Sequence, residues 1–296
     1  MKEKRNRKMK KIVSLVMAIL LFLSLTGCGN SGDKPVDDKS ATTGTLQNST
    51  DIKSAVPDTR QNSADNKDGG VKPSAAPTEF TAQQSYTAYI EAKSELASAI
   101  TDALGDNPDY SMESMALLGM VMADMAIIPA AYLGLGQDAT ATGLAMFGVT
   151  DVKYTENGNL YTVTYKSQNG ETYELQAEYD PAADALVCEV TSGGEDEGIY
   201  YEYRKAPFGY VGQIYFFESD AVTESYHISV HENGGVIGIF ESGKRPAALT
   251  GGEAKDFPKA CPRWYAMDGA TCTGVTGAGE EFSFEYVNEE QTEYDE

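Results

Sequence analysis

The sequence predicts an α+β fold: two N-terminal helices packed on one face of a large antiparallel β-meander. Three observations predict it. Apolar residues recur at helical spacing through 81–104 and 111–128, the period changes to two from about Val149, and Asn-Gly dipeptides punctuate the chain after that point.

The first helix is signalled by Thr81-x-x-Gln84, a capping box. Tyr86, Tyr89, Ile90, Lys93, Leu96, Ala97, Ile100 and Leu104 then share a face, with Lys93 its one polar member, and Gly105-Asp106-Asn107-Pro108 stops it. The second, Ser111 to about Ile128, is apolar nearly all round, interrupted by Asp124 and ended by Pro129. Such a helix is buried on several sides. Its Met115, Met122 and Met125 suit either ordinary core packing or an adaptable lining for an apolar ligand.

Strands are expected near 149–155, 160–167, 171–179, 185–191, 198–205, 211–218, 222–231 and 235–241. Asn157-Gly158, Asn169-Gly170 and Asn233-Gly234 are hairpin turns. In 172–179, Tyr173, Leu175, Ala177 and Tyr179 alternate with Thr172, Glu174, Gln176 and Glu178, so one face is expected on the core and one in water. After an irregular passage over 242–270, strands at 271–276 and 281–287 complete the sheet. Eleven of the 18 tyrosines lie between Tyr154 and Tyr226; cross-strand aromatic pairing accounts for most, and exposed rings would suit protein or glycan recognition.

Candidate chemistry is sparse. His227 and His231 share one face of a strand but stand roughly 13 Å apart, too far to chelate one ion, and are expected to be solvated. Cys188 falls on the apolar face of its strand and reads as a buried thiol. Cys261 and Cys272 are the nearer pair for a disulfide, but a hairpin centred on Asp268-Gly269 would set Tyr265, not Cys261, opposite Cys272. Bridge and hairpin therefore compete. Glu195-Asp196-Glu197 lacks calcium-loop spacing. No G-x-S-x-G, H-E-x-x-H or complete phosphate-binding loop occurs. No catalytic residue, metal site or cofactor is assigned, and a non-enzymatic role is expected.

The N-terminus carries the most specific signal. Seven bases and a single acid occupy residues 1–11, an apolar run follows over 12–25, and Leu25-Thr26-Gly27-Cys28 closes it. A basic head with a short apolar core is an export signal rather than a membrane span. The closing tetrad resembles the lipobox of bacterial lipoproteins. That resemblance implies cleavage before Cys28, diacylglycerol on its thiol and anchoring at the extracytoplasmic face of the cell membrane, two acyl chains sufficing for a stable anchor. It divides the chain into a signal peptide (1–27), the lipidated cysteine with a linker (28–79) and a single α+β domain (80–296). The linker is rich in Ser, Thr, Asp, Gly and Pro and cannot bury enough apolar surface to order itself; as a coil it would reach roughly 40 Å. The helices-then-meander order loosely resembles periplasmic lipoprotein-carrier folds, with no shared motif from which to transfer residues.

Charge narrows the partners. Losing residues 1–27 moves the formal charge from −22 to −28, which repels nucleic acid and anionic headgroups. The sequence thus points to a membrane-tethered binding or interaction module for a protein or glycan, with a carrier of an apolar ligand as the alternative.

Overall fold

Thr81 opens the first helix as an N-cap. Its side chain accepts from the Gln84 N–H (3.2 Å), and the Gln84 side chain accepts from the Thr81 N–H (3.1 Å). The helix α1 that follows runs Ala82–Asp106, and its stop is read by Asn107 ahead of Pro108. The computed structural model describes residues 80–193, 196–219 and 221–286; the signal, Cys28 and linker lie outside them.

The chain is α+β with an eleven-stranded antiparallel sheet. Its strands are β1 (Thr150–Asn157), β2 (Leu160–Lys166), β3 (Thr172–Asp180), β4 (Ala185–Ser192), β5 (Glu197–Ala206), β6 (Gly209–Glu218), β7 (Ala221–His231), β8 (Gly234–Lys244), β9 (Arg263–Asp268), β10 (Thr271–Val275) and β11 (Glu281–Glu285). Each pairs with its neighbour in sequence, a pure meander. One face carries Tyr165, Tyr173, Tyr201, Tyr203, Tyr226 and Tyr265, all buried with α1 residues in a single core. There Tyr89 of α1 lies flat on Tyr203, ring centroids 4.3 Å apart, and meets Tyr201 and Tyr210 edge-on.

The expected second helix is broken. Ser111–Leu117 and Ile128–Tyr132 are 3₁₀ turns flanking the short helix α2 (Leu118–Ala126). Tyr226 supplies the reason. Its hydroxyl is placed 3.0 Å from the Ala116 carbonyl and also meets the Met120 N–H. An uninterrupted helix would join those two groups, so the inserted side chain interrupts the ladder. Gly119 makes room, since a Cβ there would come within 2.4 Å of the same hydroxyl.

Two elements escaped the sequence. Helix α3 (Gly136–Ala145) begins at a glycine with positive φ, two residues after another, Gly134. Its Gln137 side chain donates to the Val152 carbonyl (3.0 Å) and accepts from the Tyr154 N–H (2.7 Å), occupying the otherwise open edge of β1. Strand β9 lies inside the passage expected to be irregular, and its hairpin turns on Gly269-Ala270, so Met267 faces Cys272 and Tyr265 faces Gly274.

One-sided polarity holds only in part. At the centre of the sheet the second face is buried too. Val211 and Ala206 pack under Leu249 of the 245–262 segment, and Tyr215, Phe217 and Val222 form another cluster. Val222 reaches that side because a bulge skips Thr223, pairing Phe216 with Glu224 and Phe217 with Val222. A single inserted residue reverses the alternation read from the sequence. Tyr200 is half-buried on this face and stacks on Tyr215 at 4.5 Å.

Gly212 decides how closely α1 approaches the sheet, because a Cβ there would stand 2.0 Å from the Tyr89 hydroxyl, itself buried without a hydrogen-bond partner. Gly212→Ala should therefore lower stability by about 1–3 kcal/mol through overpacking. Tyr89→Phe should be neutral or stabilising, and should recover most of the loss when combined with Gly212→Ala. Urea unfolding of the three variants checks this; independent, additive effects would contradict the packing.

Candidate functional site

Four polar clusters, three buried and one partly exposed, organise the head, and each joins segments far apart in sequence. At the start of α1, buried Ser85 donates to the Asp184 carboxylate (2.5 Å) and shares a hydrogen bond with Tyr203 (2.8 Å). Asp184 sits in the β3–β4 turn with φ 46°, and its carbonyl accepts from the Lys205 N–H at 3.1 Å. One turn of chain is thereby fixed to both the helix and β5.

Lys93, mid-way along α1, is wholly buried and paired with Asp124 of α2. Its ammonium lies 5.3 Å from the Tyr201 ring centre. Burial pulls the Lys93 pKa down, with Asp124 opposing, and pushes the Asp124 carboxyl up, with Lys93 opposing. Both shifts follow from desolvation, which penalises the charged forms.

Glu113 ties the first 3₁₀ turn to β9 and to the turn between β10 and β11. It accepts from Arg263 Nε (3.1 Å) and Nη2 (2.7 Å), from the Tyr265 hydroxyl and from the Gly277 N–H (3.3 Å). Burial pushes this carboxyl up, but the Tyr265, Gly277 and Arg263 hydrogen bonds outweigh it and hold the group below its usual range.

On the opposite face, Glu202 is fully buried yet accepts from Tyr200, Arg204, Gln213 and the Leu249 N–H, the last at 3.1 and 3.2 Å. Gln213 also donates to the Ala247 carbonyl (3.1 Å). Together they fasten the 245–262 segment across the sheet. No local signal in the sequence marks Glu202 as buried, because the segment that covers it comes 47 residues later.

Of the two competing readings, the hairpin forms and the candidate Cys261–Cys272 bridge does not: Cys188, Cys261 and Cys272 are all free and buried. Cys272 belongs to the helix-side core opposite Met267. Cys261 lies on the other face. It sits against Gly238, which points away from Ile237 and Ile239, both in the helix-side core. A sheet separates the two thiols.

His227 is not a solvated side chain. It stacks on Phe257 at 5.8 Å, its Nδ1 lies 3.7 Å from Cys261 Sγ, and its Nε2 is buried with no hydrogen-bond partner among the described residues. Burial lowers the His227 pKa and raises that of Cys261 to about 11. Both shifts favour the neutral pair and disfavour the thiolate–imidazolium pair of a cysteine nucleophile. Burial raises Cys272 to about 11 as well, and lifts Cys188 further.

The three methionines part company. Met115 is 60% exposed, while Met122 and Met125 are half-buried. Met112, Met115, Leu118 and Val121 instead form an exposed apolar ridge, one residue in every three. That spacing stacks side chains along a 3₁₀ turn and keeps them neighbours in an α-helix. An open cleft of about 420 Å³ lies elsewhere, between Ala92, Glu95 and Ala99 of α1 and Gly209, His231, Glu232 and Gly234 at the strand ends. None of the three methionines lines it.

No protein family, curated protein or solved structure matches this chain. Among the described residues, no three His, Cys, Asp or Glu side chains gather as metal ligands, and no helix is long and apolar enough to cross a membrane.

Glu113 offers a pH test. Its pKa is lower in the folded chain than in the unfolded one, so its contribution is complete above the unfolded value, near 4.5, and is lost as pH falls through the folded value. Glu113→Gln should cost about 2 kcal/mol at pH 7. The gap from the parent should close as the pH is taken below 4.5 and on through the depressed value. A gap constant between pH 7 and strongly acidic conditions would show that the ionised carboxylate contributes nothing.

Proposed function

We propose that this chain is a lipid-anchored lipoprotein of the extracytoplasmic membrane face, whose α+β head serves as a binding or interaction module. The observation that carries the reading is Leu25-Thr26-Gly27-Cys28 behind a basic head and an apolar core. Cys28 would bear the diacylglycerol, and the linker to residue 79 would hold the acidic head clear of the headgroups that repel it.

Several features support an interaction role without catalysis. Ser85, Asp184 and Glu202 are engaged in joining helix, strands and the 245–262 segment, and the Cys261–His227 contact rests in its neutral form. In this reading two N-terminal helical segments cover one face of the meander, and the ridge from Met112 to Val121 is the surface offered to a partner. The carrier alternative calls for an apolar space beside Met115, Met122 and Met125. Exposed Met115 and the close stacking of Tyr89 on Tyr203 favour the interaction module instead.

Growth of the source cells with an alkyne-tagged fatty acid tests the anchor. The parent chain should incorporate label and sediment with membranes. Cys28→Ala should lose the label and either leave the membrane fraction or accumulate as the longer precursor. A Cys28→Ala protein with unchanged size and membrane retention would overturn the proposal.

A further inference from the structure

Lys93 is the only Lys or Arg between Lys72 and Lys153, and the fold places it where a cation is least welcome. It lies on the buried face of α1 with no exposed side-chain surface, among Tyr86, Tyr89 and Tyr201, and its carboxylate partner among the described residues, Asp124, arrives from α2. A buried pair of this kind gives little net stability, since desolvating both ions offsets their attraction. Condensing the two groups would remove both charges and leave an amide.

We propose that Lys93 and Asp124 are a site of covalent self-modification: an isopeptide bond between Nζ and Cγ that staples α1 to α2. The neutral Lys93 amine attacks Cγ of the protonated Asp124 carboxyl. One amine proton passes to the carboxyl hydroxyl, the C–O bond breaks and one water leaves. Atoms and charge balance with no oxidant or co-reactant.

The surroundings favour each part of that step. Burial drives the pair towards the forms that react, free amine and un-ionised acid. Held in contact, groups of this kind react with effective molarities on the order of 10⁵–10⁸ M, far above what condensation in bulk water could use. The Tyr201 hydroxyl is buried near both Tyr89 and the Asp124 carboxyl and is not held by a hydrogen bond of its own among the described residues, so it can turn to donate to the oxygen that gains charge as the C–N bond forms. The Asp124 side chain keeps 25% of its surface exposed, an exit for the water.

Peptide mapping of the purified full-length chain after cleavage at glutamate decides the matter. Cuts after Glu91, Glu95, Glu113 and Glu156 separate residues 92–95 from residues 114–156. The expected product is these two peptides joined, one water lighter than their sum, with fragmentation placing the branch at Lys93 and Asp124. Lys93→Arg, which keeps the charge but cannot form this bond, should return both peptides at full mass. Two separate, unmodified peptides from the parent chain would show an ordinary ion pair and overturn the proposal. So would a water loss that persists in Lys93→Arg.

Discussion

Tyr89 lying flat on Tyr203 is the contact around which the head is set. A broad meander presents one face of tyrosines, valines and leucines that must be removed from water, and α1 is the element long enough to span its centre. Rings at such a boundary bury large area, but each also brings a hydroxyl that needs a partner. The fold answers with polar groups at the same depth: Ser85 for Tyr203, Glu113 for Tyr265, the Ala116 carbonyl and Met120 N–H for Tyr226. The tyrosine face therefore fixes more than burial. It dictates where the second helical segment breaks and which glycines must stay small.

The parts legible in the sequence are those governed by local rules. Thr81 and Gln84 form the capping box their spacing foretold, and strands appear where alternation and Asn-Gly turns placed them. The parts that were not legible depend on contacts across the chain. Nothing between 111 and 128 announces that Tyr226, more than a hundred residues away, will insert into the helix ladder. The bulge at Thr223 reverses the facing of Val222 without any local glycine to mark it. No local signal marks Glu202 as buried, because it is the later 245–262 segment that closes over it. The same segment takes Cys261 to the face opposite Cys272, which neither their separation nor the hairpin signal could reveal.

For function, this arrangement separates posture from recognition. The proposed anchor and linker would place the head, while the head itself directs its polar chemistry inward and leaves apolar side chains from Met112 to Val121 on the outside. Carboxylates here act as fasteners: buried Asp184 and half-buried Glu113 hold helical segments to the sheet, and buried Glu202 holds the covering segment on the reverse face. A helix layer fastened at several depths is suited to presenting a rigid surface rather than to opening around a ligand.

That rigidity is the central claim, and native-state hydrogen exchange of the full chain tests it most directly. The amides of α1 should exchange only through the same opening that releases β5, β6 and β7, with matching free energies and matching dependence on denaturant. Exchange of α1 through a separate opening, several kcal/mol cheaper than that of the central strands, would contradict the account and describe a lid rather than a fixed layer.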